Sequence, residues 1–315
     1  MPAGLAWMRW WMRNVRLFAA ILALFLASAI MAPGNAVASD NGDEAAGSGP
    51  AIWRASRGGA TVYLFGTVHI LEADKVWFTQ KIKSRFNGAH TLALEMADIR
   101  GRGGEARRLI RQLGAYPPRD SLANHIGERS YMRLQSTMSR LGAPPVALYR
   151  MRPWVALLVF STHALAADGR LLQYGADNNL HRMALQQNKR VIGLESMETH
   201  LRVFADLPEE LQVEMLNSSL DALNRDNPEY RQIVDAWIIG NVEKLSHLAD
   251  TQMAERAPLF HQRLLIDRNR SWIKPIERML GGKGSYFVAA GAAHFAGEGN
   301  VIELLRARGV TVVRE

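Results

Sequence analysis

Twice in this chain an apolar, β-rich run ends on the same spacing. TVYLFGTVHI carries Gly66 and His69, and YFVAAGAAHFAG carries Gly291 and His294. A chain that stops two distant strands on Gly-x-x-His sets two imidazoles at strand carboxyl ends. In open α/β sheets that is the edge beyond which ligands bind. Without a Cβ, Gly66 and Gly291 would let the chain turn off each strand and let a substrate or metal approach the backbone. Two further strands finish on a carboxylate, TLAL running into Glu95 and RVIGL into Glu195. A carboxylate that follows a wholly apolar strand is costly to bury unless it is paired or bound to metal. The competing reading is architectural: a salt bridge or backbone cap at each glutamate, and a hydrogen-bonded structural histidine at each strand end.

The rest of the chain supplies the frame. β-rich runs at 51–56 and 61–65 flank Arg57-Gly58-Gly59-Ala60, a hairpin signal. A helix is expected over about 75–86, then a strand over 91–94. From about 100 to 170 the pattern is helical, with Leu109, Leu113, Tyr131, Leu134 and Met138 at helical spacings. Pro153 suits the first turn of the helix that contains WVALLVFSTHALA, a stretch too short and interrupted to span a membrane. A helix over about 176–187 leads to a strand at 190–194, and 206–281 is helical again, with starts at Asp206-Leu207-Pro208 and Asn227-Pro228. The turn at 281–284 enters a strand at 286–290. A helix over about 301–308, a Gly309 cap and an edge strand at 310–313 close the chain. Strand–helix–strand at both ends, with helical insertions at about 100–170 and 200–281, predicts an α/β domain over 51–315. Its central sheet is expected to be mainly parallel and built from two strand–helix–strand halves.

The N-terminus reads differently. Arg9, Arg13 and Arg16 precede an apolar run from 17 to 32, Pro33-Gly34 breaks it, and Ala36-Val37-Ala38 offers a small-x-small cleavage site. This is the layout of a secretory signal peptide over 1–38, followed by a flexible linker, SDNGDEAAGSGP, at 39–50. The alternative is an uncleaved anchor, since the run is near the lower limit for spanning. The expectation is export to the periplasm or beyond, with membrane contact only through that segment. Removing three arginines takes the net charge from +8 to +5, and no dense Lys/Arg block with interleaved aromatics remains, so nucleic acid is not an expected partner. With no cysteine there is no disulfide, thiolate metal site or cysteine nucleophile.

Two imidazoles with one or two carboxylates suit a hydrolytic divalent cation. Of the other histidines, His163 reads as a core residue on an apolar helix. His90, His125, His181, His200, His247 and His261 form no ligand spacing. There is no His-Glu-x-x-His segment, no Gly-x-Ser-x-Gly elbow and no phosphate loop, since GGKGS at 281–285 lacks the spacing. In LIDRNRSW, Arg268 and Asn269 could donate to an anionic intermediate, or could lie on a solvated helix face.

The motifs occur together and in order: YLFGTVH at 63–69, LALEM at 92–96, YGADNNL at 174–180, KRVIGLES at 189–196, LIDRNRSW at 265–272, and FVAAGAAHFAG at 287–297 with the LLRARGVTV that follows. In this ensemble the chain resembles the TraB/GumN family, which is related to the Tiki metalloproteases. The resemblance implies an α/β core related to erythromycin-esterase-like and haem-binding ChaN-like proteins. It implies a metal-dependent peptidase acting on peptide or protein, with a divalent ion of the manganese or cobalt type. His69 and His294 would hold the metal, Glu95 would be a ligand or general base, and Arg268 and Asn269 fall in the family's Arg-Asn segment. On the reading of the strand ends alone, Glu195 would stand behind these, orienting a ligand histidine. The chain departs from the pattern at Gly297-Glu298-Gly299-Asn300, where Gly-x-x-Gly is usual, and at His200, where Gln is common. Two other readings use the same residues: a binding or regulatory protein for peptide, metal or haem, and a metal-free esterase-like hydrolase with His and Glu as acid and base.

Overall fold

The computed structural model describes residues 49–97, 104–143, 148–167, 169, 171–222 and 228–315. The expected signal peptide at 1–38, the linker up to residue 48, and Asn227 of the second helix start lie outside the described residues.

The chain enters on the hairpin that its glycines signal. β1 (Ile52–Arg57) and β2 (Ala60–Thr67) pair antiparallel with Arg57 opposite Ala60, and Gly58 takes a φ of 62°, where a Cβ is penalised. β3 (Thr91–Met96), β4 (Arg190–Glu195), β5 (Gly284–Gly291) and β6 (Thr311–Arg314) complete one sheet of order β4-β3-β5-β2-β1-β6. The β4/β3, β3/β5 and β5/β2 pairs are parallel, whereas β1 is antiparallel to both β2 and β6. The architecture is therefore α/β with a six-stranded mixed sheet. β1 breaks the parallel run because a two-residue turn can join only antiparallel neighbours. Nor do the two halves stand side by side: β5, from the C-terminal half, inserts between β2 and β3 of the first. In register, Thr67 lies opposite Gly291, Leu94 opposite Ala289, and Met96 opposite Glu195. The four parallel strands thus end at one edge of the sheet.

Helices cover both faces. α1 (Gln80–Gly88) begins later than periodicity suggests, because Thr79 caps it by accepting the Ile82 N–H at 3.4 Å. α2 (Glu105–Gly114), α3 (Leu122–Ile126), α4 (Glu128–Arg140) and α5 (Pro153–Ala167) form the first insertion. α5 starts on Pro153 and is buried on most sides; no helix among the described residues is long and apolar enough to cross a membrane. α6 (Ala176–Gln186) precedes β4, and α7 (Met197–Ala205), α8 (Glu209–Ala222) and α9 (Pro228–Ile238) follow it. Beyond these come α10 (Val242–Leu245), α11 (Gln252–Arg256), α12 (Pro258–His261) and α13 (Asp267–Leu280). Two turns in this stretch, Ser246–Thr251 and Gln262–Ile266, are π-helical, a feature found often beside functional sites. α14 (Val301–Arg306) leads into β6 through Gly309 at φ 74°.

The alternation of strand side chains divides the core in two. Phe65, Leu92, Leu94, Phe287 and Ala289 pack with Phe160 and Trp237 of the helical insertions. Leu64, Ala93, Val288 and Ala290 pack with Trp272 and Ile276 of α13 and Leu305 of α14. Glu95, two residues beyond Ala93, therefore falls on the α13 side. Before α6, the Ala176 N–H donates to the Val68 carbonyl at 2.9 Å, and a Cβ on Gly175 would stand 1.9 Å from the His69 carbonyl oxygen. Gly175→Ala should therefore destabilise the protein by about 1–3 kcal/mol through overpacking against backbone. Gly59→Ala, whose Cβ would meet nothing within 4 Å, should leave stability nearly unchanged. Urea unfolding of both variants checks the pair.

Candidate active site

The shared edge brings His69, Glu95, Glu195 and His294 into one buried cluster, with side chains 0–5% exposed. His69 leaves β2 with Nδ1 3.0 Å from Asp177 Oδ1 and Nε2 3.6 Å from Glu95 Oε1. His294 follows β5 with Nδ1 2.6 Å from Asn269 Oδ1 and Nε2 3.9 Å from the same Glu95 oxygen. Asn269 is oriented by its amide donating to the Gly299 carbonyl at 3.1 Å, so its oxygen faces His294 and Nδ1 carries the proton. Both imidazoles thus turn Nε2 toward Glu95 Oε1. That oxygen also accepts the Gly291 N–H at 2.8 Å.

The motif glycines act through contact. A Cβ on Gly66 would lie 2.9 Å from Ala292 Cα, because the exits of β2 and β5 press together. Gly291 has a φ of −48°, open to any residue, and serves through its N–H. The departure at Asn300 preserves the next turn: Asn300 caps α14 by accepting the Glu303 N–H at 3.0 Å. Gly297 has a φ of 79°, and its Cβ would meet Asp250 at 2.2 Å.

Arg268 descends from α13 into the cluster and uses every N–H it has. Nε donates to Glu195 Oε2 at 3.1 Å; Nη2 donates to Glu195 Oε1 at 2.8 Å and Glu95 Oε2 at 2.5 Å. Nη1 donates to the Leu264 carbonyl in the second π turn and to His294 Nε2, both at 3.1 Å. The guanidinium carbon stands 4.7 Å from the Trp272 ring centre, and Trp272 Nε1 donates to Glu195 Oε2 at 3.0 Å. Arg268 and Asn269 therefore lie in the cluster, not on a solvated helix face, and their donors point to protein atoms.

Two members escaped the sequence reading. His200 lies on the first turns of α7, which Ser196 caps by accepting the Thr199 N–H at 3.1 Å. Its Nδ1 reaches back to Glu195 Oε1 at 2.8 Å. A strand-end Glu followed by a capping Ser and a His four residues later was the available signal. Asp177, inside YGADNNL, is delivered to His69 by the close docking of Gly175. Among the described residues, Glu95, Glu195 and His200 bring donor atoms within 4.8 Å of one another, a buried group that could hold a metal ion.

The environment sets opposite proton states on the two imidazoles. Burial opposes charge on His69, but Asp177 and then Glu95 outweigh it and raise the ring from 6.5 to about 10. Burial, reinforced by Arg268, lowers His294 to about 3. Burial works to raise both carboxylates, yet Arg268 prevails and holds Glu195 at about 2 and Glu95 well below the ordinary range. The stability that His69 contributes is full below pH 6.5 and is lost as pH rises through about 10. His294 acts in the opposite sense, contributing fully above 6.5 and losing this as pH falls through about 3. The two glutamates contribute fully above 4.5 and lose stability as pH falls, Glu195 through about 2. Stability should peak near pH 6.5, with the alkaline limb flattened in His69→Gln and the acid limb between 6.5 and 3 flattened in His294→Gln. Urea unfolding across pH tests all three statements.

Comparison with known proteins places the chain. The TraB/PrgY/gumN family model matches residues 51–314. Uncharacterized protein YbaP of Escherichia coli (strain K12) is 25% identical over 258 residues, covering 82% of this chain and 92% of that protein. An uncharacterized protein of Treponema pallidum (strain Nichols) is 25% identical over 273 residues, covering 82% of this chain and 80% of that one. No solved structure matches the chain. With its motifs gathered at one sheet edge and nearly all of 51–315 matched, the chain belongs to the TraB/PrgY/gumN family.

Proposed function

We propose that the protein is an exported, metal-dependent hydrolase, a peptidase, with its reacting centre at His69, Glu95 and His294. One observation carries the reading: two imidazoles, each held at Nδ1 by an oxygen, turn Nε2 toward a single Glu95 oxygen at 3.6 and 3.9 Å. Metal-ligating histidines are ordinarily fixed in this way, the other ring nitrogen donating to a carboxylate or carbonyl. Asp177 and Asn269 fill that part. The donor set, two imidazoles and a carboxylate, fits a hydrolytic divalent ion. His69, on giving up its Nε2 proton, would with Glu95 and His294 hold an ion of the manganese or cobalt type, which supplies Lewis acidity and lowers the pKa of a water it holds.

The chain's own groups divide the remaining work. Before an ion binds, Glu95 anchors one oxygen on Arg268; its other oxygen faces both Nε2 atoms, where it is placed to take a proton. Glu195 holds Arg268 through two donors and so keeps that positive charge in the cluster. Asn269 sets the tautomer of His294, and Asp177 fixes the ring of His69 through Nδ1, a role in this reading distinct from donating to an oxyanion. A peptide or protein substrate follows from the family resemblance, and export follows from the layout of residues 1–38. The full burial of the cluster favours one rival, a binding or regulatory protein in which the network is architecture.

Metal depletion by chelation should abolish cleavage of a quenched-fluorescent peptide library, and Mn²⁺ or Co²⁺ should restore it. Glu95→Gln should lower the rate by about 10²–10⁴-fold, and Asp177→Asn should weaken metal binding by about 10–100-fold. Metal at about a hundredfold excess over its Kd should stabilise the wild type by about 2.7 kcal/mol, and His294→Ala should lose that gain. A wild type unmoved by either ion in both assays would leave the architectural reading. Mass spectrometry of the native protein should find a chain beginning at Ser39; an intact 1–38 segment would point to an anchor.

A further inference from the structure

The buried donors Glu95, Glu195 and His200 surround a position suited to a cation, and a guanidinium nitrogen stands at it. Arg268 Nη2 is 2.5 Å from Glu95 Oε2, 2.8 Å from Glu195 Oε1 and 3.4 Å from His200 Nδ1. On the same guanidinium, Nη1 lies 3.1 Å from His294 Nε2. That ring nitrogen has one lone pair, because Nδ1 carries the proton given to Asn269. It can accept an Arg268 N–H or bind a metal, and it cannot do both.

We infer that Arg268 is a resident cation that a divalent ion must displace: its guanidinium leaves Glu95, His200 and His294 and keeps Glu195 as its counter-ion. The inference rests on the metal reading of the preceding section and adds the residue that opposes it. Glu195 is suited to retain the displaced side chain, since it already accepts from both Nε and Nη2 and is itself held by Trp272. With the guanidinium in place, the two glutamates have a permanent positive partner, so the fold does not need metal. Apparent metal affinity is then the intrinsic affinity reduced by the small fraction of molecules with Arg268 withdrawn.

The test is titration of the full chain with Co²⁺, read by visible absorption and by bound metal after gel filtration. Arg268→Ala should bind at least about tenfold more tightly than wild type, because the competent state is no longer rare. Arg268→Ala leaves two buried carboxylates without their partner and could fail to fold, so Arg268→Lys is read beside it. Lys keeps the charge, but its single ammonium has no planar fork with which to span both glutamates and His294. It should therefore bind Co²⁺ more tightly than wild type, by less than Ala. Equal or weaker binding by folded variants, with wild type binding, would overturn the displacement and leave the metal reading intact. Tight binding by Arg268→Lys with a silent wild type would show Arg268 filling the cation position without being displaced, which overturns the displacement and removes metal from the proposed chemistry. No binding by wild type or either variant would overturn both.

Discussion

Five N–H donors on one buried arginine tie together segments that are remote in sequence. Arg268 is 3% exposed and joins the ends of β3 and β4, the loop after β5, and the π turn that precedes its own helix. Two glutamates at these depths would be prohibitive alone, and breaking a buried pair by removing one partner typically costs about 3–5 kcal/mol. The rest of the site follows from that pairing. Glu95 is held with one oxygen on Arg268 while the other accepts the Gly291 N–H and faces two imidazoles, and Glu195 collects Arg268, Trp272 and His200 around a single carboxylate.

The sheet order makes this convergence possible. β5 lies between β2 and β3, so the strand carrying His294 is flanked by those leading to His69 and Glu95. Parallel pairing brings Thr67 level with Gly291 and Leu94 close behind at Ala289, and all three exits open on one edge. Each parallel return needs a crossover connection, and the long helical stretches between strands supply those connections. α13 then lies across the face to which Glu95 points, with Arg268, Asn269 and Trp272 on its inner side.

The two histidines share a spacing but not a chemical state. His69 faces two carboxylates and is held as a cation; His294 faces a guanidinium and an amide oxygen and is held neutral. Each is oriented through Nδ1 by a residue from a different helix, Asp177 at the start of α6 and Asn269 near the start of α13. The π turns serve the same end. One places the Leu264 carbonyl where Arg268 Nη1 reaches it, and the other places Asp250 against Gly297 and the Glu298 N–H at 3.4 Å, securing the loop that leaves His294.

Local physics made much of this legible in advance. Apolar runs ending in Gly-x-x-His and Glu marked the strands and their polar ends, the Gly58–Gly59 turn marked the hairpin, and Pro153 marked the start of α5. These depend on backbone preference and on side-chain period, which a short window contains. The sequence also supplied the family ensemble, in which Arg268 and Asn269 were already singled out. It did not contain the insertion of β5 between β2 and β3, since strand neighbours are chosen by packing across the whole chain. Nor did it pair Asp177 with His69, join His200 to Glu195, or set Arg268 against both glutamates. Those contacts link residues from 5 to 173 positions apart through burial in a shared low-dielectric site, where charges choose partners by three-dimensional proximity and carry no periodic trace along the chain.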